Sequence, residues 1–313
     1  MVKSRLSRAV MLCLVSIIIL GLFAACAAPV EEEKVLSQIE ITDQLGRTVR
    51  LAGVPQSIVS LAPSNTEILF ALGLGERVLA VTDYCNYPPE AEEKPSVGGF
   101  STPNIEKVVA YSPDLILAGS IHEDRVIPQL EQKGFTVLAL ESSILEEVME
   151  SIAFVGAVAG KEKEAAELLT AMRLRIKSVT DKTDGLSIEQ RPRVFYAVWH
   201  DPLKTAGGDT IHSELIQKAG GTNIAGDLAG YAGIGLETVL DANPQVIIAS
   251  TTHGSSGELT FRFMETEPRL STTDARRYHR VYHLDGNLVS RTGPRLVDGL
   301  EIFARFIHPE LFP

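Results

Sequence analysis

Cysteine is scarce in this chain. Among 313 residues there are three, Cys13, Cys26 and Cys85. Cys13 lies inside an apolar N-terminal run and Cys26 ends it, so the body holds Cys85 alone and has no disulfide framework. An excess of positive charge is also missing. The 29 basic residues are outnumbered by 40 acidic ones, giving a formal net charge of −11, which repels phosphates and excludes a nucleic-acid partner. No phosphate-binding loop is present. Gly73-Leu74-Gly75 follows a helix rather than a strand and has Val78 at the place of the third glycine, so it reads as a helix cap and turn, not a dinucleotide site. Gly254-Ser255-Ser256-Gly257 lacks the spacing of a nucleophile elbow. His279 and His283 are four apart, but Val281-Tyr282-His283-Leu284 reads as a strand, where such residues stand about 13 Å from each other. They read as surface histidines rather than metal ligands. No local motif marks a catalytic or metal site. A set assembled in space from Ser64, His200 and Asp201 stays open, and with it an extracytoplasmic hydrolase.

What the chain does have begins at its N-terminus. Lys3, Arg5 and Arg8 lead into the apolar residues 9–25, and Ala24-Ala25 precede Cys26. That order of basic, apolar and small residues is the order of an export signal, so the body lies outside the cytoplasm. An uncleaved membrane anchor is the alternative, since seventeen residues reach the lower limit for a span. Residues 26–38, with Pro29 and Glu31-Glu32-Glu33-Lys34, read as a solvated tether.

The body is long enough for two lobes, and an internal repeat supports that division. Residues 105–120 and 236–251 follow one plan. Each starts with a short amphipathic helix and breaks it before a proline (Ser112-Pro113, Asn243-Pro244), where helical geometry is disfavoured. Each then enters an apolar run suited to a strand covered on both faces of a parallel sheet. Glu106 and Glu237 occupy equivalent places in the two units. Two such lobes imply a cleft between them, where small ligands bind.

Strands and helices alternate along the rest, indicating α/β lobes with mostly parallel sheets. A hairpin is expected over residues 39–51, strands at 57–61, 77–81 and 136–140, and a helix over 124–132. Ser64 with Glu67 and Ser143 with Glu146 have capping-box spacing and predict helix starts. The first lobe spans 39–142 and a helical connector 143–190. Its second helix, over about 162–182, is long enough to bridge the lobes. The second lobe spans 191–313, with strands at 193–199 and 280–284 and helices at 210–219 and 294–307.

Aromatic residues in irregular segments are the candidate ligand contacts. Tyr84, Tyr87, Phe100, Trp199 and Tyr231 fall in loops or at strand ends, where core packing explains them less readily than on helix faces. Flat ligands are bound by such side chains.

Several segments together resemble the helical-backbone substrate-binding proteins of ABC importers, the carriers of cobalamin, haem and ferric siderophores. They are residues 58–69 (Ile-Val-Ser-Leu-Ala-Pro-Ser-Asn-Thr-Glu-Ile-Leu), Tyr84-Cys85-Asn86-Tyr87-Pro88-Pro89, and Val97-Gly98-Gly99-Phe100 through Asn104-Ile105-Glu106. The Pro-Asp-Leu-Ile-Leu strand and the closing His308-Pro309-Glu310 belong to the same pattern. The likeness covers the chain in order from about residue 39 and is strongest to the cobalamin branch. The resemblance implies two three-layer α/β lobes joined by one bridging helix. It implies ligand contacts at Tyr84 and Phe100 from the first lobe and Tyr231 and Arg291 from the second, with Trp199 in a loop facing the cleft. Phe100 and Tyr231 stand where cobalamin carriers can have tryptophan, and Asn287 where an acid can occur, so haem and ferric siderophores remain alternatives. It implies that Glu106 and Glu237 dock on a dimeric permease that works with an ATPase. The N-terminus is similar to a bacterial lipoprotein signal of residues 1–25, which implies a lipid on Cys26. The expected protein is a monomeric, membrane-anchored carrier with no catalytic or metal residues and no cofactor besides its cargo. A sensor that keeps the fold without a transporter is a further alternative.

Overall fold

The computed structural model describes residues 39–251 and 256–313. The expected signal (1–25), the tether (26–38), Cys26 and the Gly254-Ser255 pair lie outside the described residues. A hairpin of β1 (Ile39–Thr42) and β2 (Thr48–Leu51) opens the body in antiparallel register. β3 (Ile58–Ser60), β4 (Val78–Ala80), β5 (Leu115–Gly119) and β6 (Val137–Leu140) then form a wholly parallel sheet in the order β4-β3-β5-β6. The second sheet holds β7 (Arg193–His200), β8 (Leu203–Ala206), β9 (Thr222–Asn223), β10 (Tyr231–Gly233), β11 (Val246–Thr251) and β12 (Val281–Asp285). Its order is β10-β8-β7-β11-β12, with β9 also paired to β7. β7, β11 and β12 run parallel, while β8 folds back antiparallel on β7.

The strands sort their side chains by a period of two, and the sorting explains the architecture. In β5, Leu115 and Leu117 face one apolar cluster while Ile116 and Ala118 face another. In β11, Val246 and Ile248 face the first of these, while Ile247 and Ala249 enter a third. β6 and β7 divide in the same way. One cluster is therefore shared by both sheets, and each sheet has a private cluster on its other face. Helices Leu145–Ala159 and Glu162–Thr183 supply Ile152, Val155, Met172 and Val179 to the shared layer.

The two repeat units meet this plan at equivalent places. β5 and β11 are each flanked by parallel strands on both sides. Each follows its proline by two residues, so the same register positions reach the shared core. The residue before each proline leaves helical geometry, as expected, but it enters the left-handed region rather than an extended one: Ser112 has φ 46° and Asn243 φ 43°. Asn243 is helped there by its amide, which accepts from Asp274 N at 2.9 Å and donates to Asp274 Oδ2 at 3.1 Å.

The bridging helix Glu162–Thr183 has 22 residues, about 33 Å at 1.5 Å per residue. Gly160, left-handed at φ 66°, ends the helix before it. Arg175 ties the bridging helix to helix Leu296–Ile307 through Asp298 at 2.6 Å and Glu301 at 2.8 Å.

Both expected capping boxes are corrected. The first helix runs Pro63–Ala71 with Ala62 at the cap and no side-chain cap bond. Pro63 is preset for the first helical position and moves the start one residue ahead of Ser64. Glu67 is thereby released for another use. Helix Leu145–Ala159 is capped at Ile144, again without a side-chain bond. Its first amide, Leu145 N, donates instead to Glu214 Oε2 of the second lobe at 2.7 Å.

The two left-handed residues should respond differently to glycine. Ser112→Gly relieves a strained backbone and should raise stability by up to about 1 kcal/mol. Asn243→Gly loses two side-chain hydrogen bonds and should lower it by about 1 kcal/mol. Denaturant unfolding of the two variants reads the contrast.

Candidate functional site

A cavity of about 240 Å³ opens between the lobes. Tyr84, Phe100, Gly119, Ser120, Glu141 and Ser142 line it from the first lobe, and Asn287, Ser290, Arg291 and Thr292 from the second.

Phe100 is presented by a tight reversal. Gly98, at φ 100°, takes a conformation that a side chain would strain. Asn104 N closes the loop on Val97 O at 2.7 Å. Behind Phe100 lies His122, which is fully buried. The carbonyl of Phe100 can only accept, so His122 Nε2 carries the proton donated to it at 2.7 Å. His122 Nδ1 is then free to accept from Gly119 N at 3.0 Å. Burial holds the imidazole below its usual pKa.

Tyr84 is anchored by its neighbour. Cys85 is buried, and its Sγ lies 3.2 Å from both Thr66 Oγ1 and Thr82 Oγ1. The one cysteine of the body thus holds a loop in place.

Arg291 enters from the second lobe and bonds the first twice, at Glu67 Oε1 (3.1 Å) and Tyr84 O (3.0 Å). Arg295 grips the same carboxylate with two nitrogens at 2.6 and 2.9 Å and lies 3.8 Å over the Tyr87 ring. The side chain of Glu67 is only 2% exposed, and those of Arg291 and Arg295 11% and 15%. Burial disfavours the Arg295 cation, yet Glu67 outweighs it and raises the guanidinium above its usual pKa.

The structure brings Tyr84, Phe100 and Arg291 together on one cavity. It does not place Trp199 or Tyr231 among the lining residues. The Trp199 indole donates to Asp201 O at 2.7 Å and packs on His200. The Tyr231 hydroxyl lies 3.2 Å from His212 Nδ1, and His212 Nε2 lies 3.5 Å from Ser290 Oγ. Tyr231 is itself exposed and is linked through buried His212 to the wall residue Ser290. Glu106 is exposed and ion-paired to Lys133 at 3.1 Å. Glu237 is exposed and lies close enough to Arg269 to add to the field that Glu267 sets there. Glu67, Arg295, His122 and His212 were missed by sequence reasoning. Only Arg295 carried a signal, the four-residue spacing from Arg291 at the start of a helix.

Among the described residues, no group of three or more histidines, cysteines or acids is placed to hold a metal.

Comparison with known proteins places this geometry among related chains. The sequence profile of a family described as periplasmic binding protein matches residues 58–288. An uncharacterised ABC transporter substrate-binding lipoprotein, YvrC of Bacillus subtilis, is 34% identical over 306 residues, covering 93% of this chain and 94% of that one. A vitamin B12-binding protein of Vibrio cholerae is 31% identical over 248 residues, covering 79% of this chain and 87% of that one. A periplasmic haem-binding protein, BhuT, solved with two haems, superposes with a TM-score of 0.74 at 26% identity, over 83% of this chain and 100% of that one.

Two outcomes follow from these buried groups. Glu67→Gln leaves two poorly exposed guanidinium groups without a counter-charge, so it should destabilise the fold by about 3–5 kcal/mol in denaturant unfolding. His212 is pushed down to about 3 from an ordinary 6.5 by burial. Between those values the unfolded chain binds a proton that the folded chain refuses. The stability from neutral His212 is thus complete above pH about 6.5 and declines as pH falls toward 3. Unfolding midpoints should drop steeply below pH 6, and His212→Gln should flatten the slope by up to about 1.4 kcal/mol per pH unit.

Proposed function

We propose, from the premise that the chain belongs to the periplasmic binding protein family, that its ligand is a corrinoid. As a member it is an extracytoplasmic substrate-binding protein of an ABC transporter, in the group that carries cobalamin, haem and iron-siderophores. Its partners are a membrane permease with its ATPase, and its role is transport.

The observation that carries the corrinoid reading is the chemistry of the cavity wall. The charged side chains on it are Glu141 and Arg291, and Arg291 is already committed to Glu67. The remaining polar side chains are mostly neutral: Ser64, Ser120, Ser142, Ser290, Thr292 and Asn287. Hydroxyls and amides both donate and accept, which suits the amide-fringed rim of a corrinoid. The propionates of haem call for uncommitted cations, and here they would meet Glu141. Phe100 and Tyr84 offer apolar faces to the ring. A cavity of 240 Å³ lies just below the ~300–1,000 Å³ usual for small-molecule sites, so a macrocycle enters by one edge and rests across the open mouth. The haem alternative is supported by the likeness to BhuT.

Glu106 and Glu237 would each meet a basic residue of a two-fold permease. Both are exposed and near the start of equivalent helices. Each has a basic neighbour on its own lobe, Lys133 or Arg269, which the permease residue would displace. The lipoprotein likeness of YvrC supports a lipid on Cys26 that holds the carrier at the membrane.

Titration with cyanocobalamin should show binding at micromolar Kd or tighter, about −8 kcal/mol, and haemin should bind at least tenfold more weakly. Phe100→Ala should cost about 1–3 kcal/mol of that affinity. Tight haemin binding with none of cyanocobalamin would overturn the corrinoid reading. In a reconstituted transporter at matched protein levels, Glu106→Ala with Glu237→Ala should leave ligand affinity unchanged while uptake falls sharply, and each single variant should fall less. Such pairs chiefly orient the encounter. Full uptake by the double variant would end the docking role.

A further inference from the structure

Each lobe hides one histidine behind the aromatic residue expected to touch the ligand. In the first lobe the rings of Phe100 and His122 meet edge to face, 5.6 Å between centroids and 84° between planes. In the second, His212 and Tyr231 meet at 5.7 Å and 78°. The two ring pairs share nearly the same separation and tilt, although neither histidine belongs to the sequence repeat. His122 is 0% exposed and His212 2%.

Both imidazoles also join a pair of segments. His122 bonds the Phe100 carbonyl at 2.7 Å and the Gly119 amide at 3.0 Å. Phe100 and Gly119 both line the cavity. His212 stands between the Tyr231 hydroxyl at 3.2 Å and Ser290 Oγ at 3.5 Å, and Ser290 lines the cavity. Its other face lies against Tyr196, 4.4 Å between centroids. A buried polar ring is costly unless its nitrogens are satisfied, and these nitrogens are satisfied by wall segments. A core position with no duty toward the wall would more cheaply hold leucine or phenylalanine.

We infer that His122 and His212 are positioning residues of the ligand cleft: His122 fixes the tilt of Phe100 and the 119–121 turn, and His212 fixes Tyr231 and Ser290. The inference rests on the ligand-carrier reading. Neither histidine touches the ligand; each acts through the aromatic ring it holds. A ring that is already oriented loses less freedom on binding, so preorganisation shows directly as affinity.

The test is a pair of double-mutant cycles on the full chain in detergent, with cyanocobalamin as probe. His122→Leu should weaken binding about tenfold, and about as much in no other background: combined with Phe100→Ala it should add nothing further. His122→Gln keeps a donor directed at the Phe100 carbonyl and should retain affinity within about threefold. His212→Phe with Tyr231→Ala should show the same non-additivity. Losses that simply add would overturn the inference, as would a His122→Gln no better than His122→Leu. A second readout needs no ligand. With 4-fluorophenylalanine at position 100, the fluorine resonance should be single in the parent and in His122→Gln, and split or broadened in His122→Leu. An unchanged resonance in His122→Leu overturns the positioning role whatever binds. A parent that fails to take up cyanocobalamin while these resonances behave as stated defeats the corrinoid reading and leaves the positioning role standing.

Discussion

The apolar layer shared by the two sheets governs how the cleft can work. Leu115 and Leu117 of β5, Val246 and Ile248 of β11, and the inner faces of the two connector helices belong to one continuous cluster. Separating the lobes widely would expose that layer, at roughly 25 cal/mol for each Å² of apolar surface uncovered. The lobes are therefore joined by a core as well as by a covalent bridge. Glu67, Arg291 and Arg295 extend the same restraint to the cleft itself. Breaking such a cluster without replacing its partners strands buried charge, so wide opening carries an electrostatic cost in addition to the apolar one. In a carrier built this way, the groups that tie the lobes also hold part of the cleft wall in place.

That restraint also sets the chemistry of the wall. An arginine at the mouth of a cleft would ordinarily attract anions. Here the carboxylate behind it has already claimed one of its hydrogen-bond directions, and the Tyr84 carbonyl claims another. The same interaction that holds the lobes removes the cleft's cation from ligand recognition. What is left on the described wall is aromatic surface, a fringe of hydroxyls with the Asn287 amide, and the carboxylate of Glu141. The corrinoid proposal thus rests on the same contacts that tie the lobes, because they commit Arg291.

Much of this frame was legible in the sequence. The two proline-broken repeats located an interior strand of each sheet, because a strand covered on both faces must be continuously apolar. The period of the long helix located the bridge. Tyr84 and Phe100 stood out as aromatics in irregular segments, and Arg291 through the family resemblance alone; all three line the cavity. Glu67 was not, since its spacing from Ser64 matched a helix cap and its partners lie more than two hundred residues away in sequence. His122 sits in a short polar turn with no periodic signal and His212 on the buried face of the expected 210–219 helix, and only the packing of other segments around them points to a role. Trp199 satisfies its indole locally on Asp201, a contact that reads from sequence no differently from a ligand-facing loop.

The repeat itself explains why the site is not symmetric. Duplicated features are those the sheet requires: the helix, the break before proline, and the strand that serves two cores. Segments beyond the strands are free of that requirement, and the two lobes draw their described wall residues from different ones. β5 leads directly into Gly119-Ser120-Ile121, which lines the cavity, with His122 folded beneath it. The second lobe instead supplies its wall from the segment after β12, where Asn287 to Thr292 reach the cleft and Arg291 crosses to the first lobe. A fold can keep its duplicated strands only while their two faces stay buried, whereas the loops beyond them are free to differ. The histidine behind each wall marks the point at which those two demands meet: it must be buried like the core, yet it is bonded like the loop.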